Sequence, residues 1–87
     1  MGDLVRQLES QFKTPLLPLE VVRATFFPHL SADSFNRRAR ANDLGFPVIT
    51  AERSQKSAMF VHIDDLAAYL ESRRATATRE HAMLAGA

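Results

Sequence analysis

Eighty-seven residues, 24% of them charged, a net charge of +1 and no cysteine suit one small domain with a modest core, and exclude disulfides and thiolate metal sites. No apolar run approaches the roughly 20 residues needed to cross a bilayer. MGDLVRQLES, acidic at Asp3 and without an apolar core, does not read as a signal peptide, and MGDLVR lacks the Ser or Thr of a myristoylation motif. The expected location is therefore cytoplasmic. Charge is uneven along the chain: residues 31–62 hold five Arg or Lys against three acids, 1–30 hold three against three, and 63–87 hold three against four. The excess alone is too small to indicate a nucleic-acid partner.

In chain order, Leu4, Val5, Leu8 and Phe12 share one face at helical spacing behind Asp3, which predicts a helix over 3–12. Pro15 interrupts it. Pro18 fits the first turn of a second helix over about 18–27, where Leu19, Val22 and Phe26 form the apolar face and Pro28 is the stop. Ser31 is a good N-cap for a third helix, with Leu30 and Phe35 spaced for a hydrophobic staple. Ser34 stands where a capping box would place Glu or Gln. Phe35 and Ala39 point inward; Ser34, Arg37, Arg38 and Ala41 lie on or near the outward stripe, with Arg40 on its flank and Asn36 close to the buried side. Gly45 is the expected closing residue.

FPVIT (46–50) and AMFVHI (58–63) read as a β-hairpin whose tip is Arg53, Ser54, Gln55, Lys56 and Ser57. Pro47 suits an edge strand or a strand start. A last helix begins near Asp64, with Asp64 and Asp65 at its positive end, Ile63, Leu66, Ala67 and Leu70 on its apolar face, and Arg73 and Arg74 at its negative end. The predicted domain spans 1–75: helix 3–12, helix-turn-helix 18–44, wing 46–63 and helix 64–74. Residues 76–87 are a frayed helical extension or a disordered tail. The fold class is mainly α with a small β-hairpin, in a winged helix-turn-helix layout.

Such a layout can present one helix to the major groove of a duplex. Guanidinium groups bind phosphates and bridge guanine O6 and N7. Arg37 and Arg38 are placed to enter the groove, and Arg40 to meet a phosphate. Ser34 and Asn36 can touch base edges or backbone, and Arg53, Gln55 and Lys56 can reach an adjacent groove or the backbone. An arginine-rich face is most often simply solvated; its place on the second helix of a helix-turn-helix, before a basic wing, favours DNA. Other candidates are weaker. His29, His62 and His81 lack metal-ligand spacing, Asp64 and Asp65 are explained by a helix start, and Ser54 and Ser57 have no base nearby in sequence. Arg6, Lys13 and Arg23 read as solvated, and Phe26, Phe27, Phe35, Phe46 and Phe60 as core. No catalytic group, metal site or cofactor is expected.

PLLPLEVVRATFFPHLS (15–31), NRRARANDLGFPV (36–48) and SQKSAMFVHIDDLAAYL (54–70) together resemble the pyocin activator, or PrtN-like, family over about residues 14–75. SQK followed by an aromatic, Val-His and DLAAY is the most distinctive part. The resemblance implies an excisionase/MerR-like winged helix-turn-helix, related to phage excisionases and AlpA-like regulators, and a bacterial or prophage transcriptional activator associated with the nucleoid. It implies that Asn36, Arg37, Arg38 and Arg40 lie on the reading helix, with Ser54, Gln55 and Lys56 on the wing. The implied partners are double-stranded DNA, further copies of the chain (as a dimer or head-to-tail along DNA), and RNA polymerase or a recombinase. Two alternatives stand beside the activator: an excisionase-type architectural factor, and an adaptor docking an acidic protein on its arginine face.

Overall fold

The first helix forms where the apolar spacing places it. In the computed structural model, which describes residues 2–52 and 58–86, α1 runs Gly2–Phe12 with Leu8 buried and Leu4, Val5 and Phe12 packed around it. It ends in a left-handed residue, Lys13 at φ +61°, whose N–H donates to the Glu9 carbonyl at 2.7 Å.

The next three residues depart from the sequence expectation. Leu16–Pro18 form a strand, β1, that pairs antiparallel with β3 (Met59–His62) in the register Leu16↔His62, Leu17↔Val61 and Pro18↔Phe60. The ladder is prolonged by the Ile63 N–H, which donates to the Pro15 carbonyl at 2.8 Å. With β2 (Ile49–Thr50) on the other side of β3, the expected two-stranded hairpin is a three-stranded antiparallel sheet of order β1-β3-β2. A tripeptide bounded by prolines carries no alternating pattern, and prolines are tolerated only at an edge. Pairing with β3 and burial of Leu17 therefore create this strand; local propensity does not. Pro18 is correspondingly extended, φ −56° and ψ 141°, and precedes the second helix instead of opening its first turn.

Helices α2 (Leu19–Phe26) and α3 (Ala32–Arg40) follow, joined by a turn through Phe27, Pro28 and Ser31. The Ser31 hydroxyl accepts from the Ser34 N–H at 3.1 Å, which satisfies one of the orphan donors of the helix start. α3 stops earlier than expected. The Asn42 N–H donates to the Ala39 carbonyl at 3.1 Å, and the Asp43 N–H to that of Arg38 at 2.9 Å, with Asn42 left-handed at φ +56°. This paired closure ends the helix before Gly45 is reached. Gly45, at φ +73°, serves the following loop. The strands are also shorter than their apolar runs suggest, because Phe46 leaves the sheet to enter the core.

α4 follows β3 without a loop and runs Ile63–Gly86. His62 takes the capping position, its Nδ1 accepting from the Asp64 N–H at 3.0 Å. The helix does not end near residue 74: Arg73 and Arg74 lie in its middle, and the expected frayed or disordered tail is continuous helix to Gly86. Residues 71–85 contain no proline or glycine and are rich in Ala, Arg, Glu, Met and Leu, all favourable helix formers.

The core lies among the helices and the covered face of the sheet. Leu17, Val22, Phe35, Val61, Ile63 and Leu66 are its largest fully enclosed side chains. Phe27 sits between Phe35, at a centroid separation of 5.1 Å, and Phe46 and Tyr69, and Tyr69 meets Phe46 edge-on at 5.1 Å. Aromatic contacts thus tie α2, α3 and the loop before β2 to α4.

Candidate nucleic-acid interface

α3 is amphipathic because of what lies beneath it. Phe35 and Ala39 are buried, one turn apart, which turns Arg37, Arg38 and Arg40 to the surface. Ser34 and Asn36 are half-buried at the edges of this face. Arg38 makes a loose contact with the loop: its Nη2 donates to the Asp43 carbonyl at 3.3 Å, and its Nε stands 3.9 Å from the Asp43 carboxylate. The side chain keeps 47% of its surface exposed. An exposed pair at that distance is worth under about 1 kcal/mol, so a phosphate can displace it. Asp33 and Asp43, both exposed, are the acids nearest the cluster in sequence.

The angle at which α3 is held depends on a residue that the sequence reading left solvated. Arg23 is fastened at both edges of its guanidinium. Nε lies 2.8 Å and Nη2 2.6 Å from the Glu20 carboxylate, while Nη1 donates to the Leu30 carbonyl at 2.8 Å. The fork ties the last turn of α2 to the residue just before the N-cap of α3. Half of it was visible in the sequence as a Glu–Arg pair three residues apart on a helix. The Leu30 carbonyl comes within reach only once the turn has folded. Hydrogen bonding from Arg23 holds the Glu20 carboxyl below the usual carboxylate range, against an opposing desolvation and with a smaller contribution from the Arg23 charge.

The ribbon expected over 46–63 pairs as far as it is described. Ile49↔Phe60 and Thr50↔Met59 pair, and the Ala51 N–H donates to the Ala58 carbonyl at 3.4 Å. Arg53, Ser54, Gln55, Lys56 and Ser57 lie outside the described residues. His29 is an exposed turn residue tilted against Phe27 at 6.3 Å. Among the described residues, no group of three or more His, Asp or Glu could hold a metal ion, and no helix is long and apolar enough to cross a membrane.

A family model described as "Pyocin activator protein PrtN" matches residues 5–77, from α1 to the middle of α4. The chain belongs to the pyocin activator family. This is a regulatory, not a catalytic, family. The match takes in α1, which lay outside the residues that carried the sequence resemblance, and stops before the last turns of α4. No curated protein and no solved structure is a significant match to the chain.

Proposed function

We propose that this pyocin activator family member is a double-stranded-DNA-binding activator of pyocin or prophage genes, with α2 and α3 acting as a helix-turn-helix and the β2–β3 ribbon as its wing. The observation that carries the reading is the outward face of α3. Three arginines within four residues lie exposed above buried Phe35 and Ala39, on the second helix of a pair braced by Arg23. Arg37 and Arg38 enter the major groove, Arg40 meets a phosphate, and Ser34 and Asn36 touch base edges or backbone at the margin. The segment between β2 and β3 brings Arg53, Ser54, Gln55 and Lys56 to the flanking backbone. If Arg37, Arg38, Arg40, Arg53 and Lys56 each meet a phosphate, log K falls with log salt at a slope of about −4 to −5.

Fluorescence anisotropy with duplexes from pyocin-gene promoters tests this. The wild-type chain binds, and the Arg37→Ala/Arg38→Ala variant loses most of its affinity while its circular dichroism is unchanged. Wild-type affinity in that variant would overturn the proposal. Strong footprints confined to repeats beside a recombinase attachment site, with none at promoters, would reassign the protein as an architectural factor of excision.

A further inference from the structure

The way α3 closes sets Arg38 against Asp43. Ala41 is the cap residue and Asn42 behind it is left-handed; the Asp43 N–H reaches back to the Arg38 carbonyl at 2.9 Å, and the Asn42 N–H to that of Ala39. In such a closure the residues joined by the longer bond stand side by side, and the pair is commonly apolar. Here it is a guanidinium and a carboxylate. The backbone bond fixes the base of Asp43, so the acid belongs to the arginine face and cannot leave it unless the helix end opens.

Stability of the helix end gives no reason for an acid there. The carbonyl end of a helix carries partial negative charge, and a pair 3.9 Å apart, with side chains 47% and 76% exposed, offsets little. The contact does have an orientation. Arg38 Nη2 donates to the Asp43 carbonyl at 3.3 Å and Nε faces the carboxylate, so Asp43 takes the edge of the guanidinium formed by Nε and Nη2. Both protons of Nη1 and the second of Nη2 remain, and these form the end-on edge that can bridge guanine O6 and N7.

We propose that Asp43 is a positioning residue that makes Arg38 a reader of guanine instead of a phosphate clamp, an inference that rests on α3 being the helix in the major groove. The carboxylate competes with phosphate for Arg38 and repels the backbone that would draw the side chain out of the groove. Guanine O6 and N7 carry no net charge and meet far less repulsion. Asp43 thereby weakens sequence-independent binding, which phosphate contacts carry, and leaves the base contact intact. The hold is loose, so it gives a several-fold preference and not an absolute one.

Selection by the full chain from a duplex library with a randomised core tests this, followed by anisotropy titration of the selected duplex and of its scrambled counterpart over a range of salt. The wild-type motif contains a guanine position that Arg38→Ala relaxes, while the salt slope on the selected duplex stays the same. Asp43→Asn keeps the size of the side chain and the backbone closure. It binds the scrambled duplex roughly three- to fivefold tighter and broadens the guanine position, so the two affinities draw together. A merely structural Asp43 would weaken both duplexes alike, and that result would overturn the proposal. So would an unchanged ratio of the two affinities in Asp43→Asn, or a slope less steep by about one unit in Arg38→Ala, which marks a phosphate contact. Each of these leaves the DNA-binding reading standing; no binding to any duplex of the library overturns both.

Discussion

At Gly45 the backbone is left-handed, and a Cβ built there would stand 3.0 Å from Tyr69 Cε1 and 3.3 Å from Cδ1. Tyr69 cannot easily yield, because its ring is set edge-on against Phe46 and faces Phe27. Gly45→Ala therefore meets backbone strain and steric crowding together, and is expected to lower unfolding free energy by about 1–3 kcal/mol in denaturant titration. Gly45→Asn recovers the backbone part alone. The Arg23 fork predicts a pH dependence. Glu20 has a depressed folded-state pKa, so its contribution is complete above the ordinary carboxylate range and is lost as pH falls through the depressed value. Arg23→Ala removes that dependence together with the bond to the Leu30 carbonyl, so the gap in melting temperature between wild type and variant should narrow, without closing, as pH falls. Single replacement of Arg37 by Ala is expected to make the salt slope of DNA binding less steep by about one unit if it meets a phosphate, and to relax base preference at one position if it reads a base.

Among the elements, what could be read in advance was what local chemistry dictates. Ser31 caps α3 and Phe35 with Ala39 sets its inward face, so the exposure of Arg37, Arg38 and Arg40 followed from residues a few positions away. β1 could not be read that way, since Leu16 to Pro18 become a strand only by finding Val61 and its neighbours more than forty residues on. Leu17→Ala accordingly tests the strand: removal of a fully buried side chain is expected to cost about 2–5 kcal/mol, a large share of what holds so small a domain together. The end of α4 was misplaced for the opposite reason. Its alanine-rich sequence is weakly patterned but strongly helical, and helical composition continued the rod where tertiary contacts stopped. Truncation after Ala77 removes, among the described residues, only exposed ones and should leave the melting temperature within a few degrees of wild type.

For the whole molecule, the aromatic cluster of Phe27, Phe35, Phe46 and Tyr69 joins α3, the loop leading to the ribbon and the long helix into one packed unit. Phe35→Ala would open a cavity at the centre of that unit, at a cost of about 3–5 kcal/mol, and should abolish cooperative unfolding and DNA binding together. One outer edge of the sheet sets another limit on the molecule. β1 is an outermost strand, and the prolines at 15 and 18 remove amide donors at and beside its ends. A neighbouring polypeptide seeking to add itself there would find too few partners for a continuous ladder. At high local density the chain is therefore guarded, on this side of the sheet, against knitting into fibres.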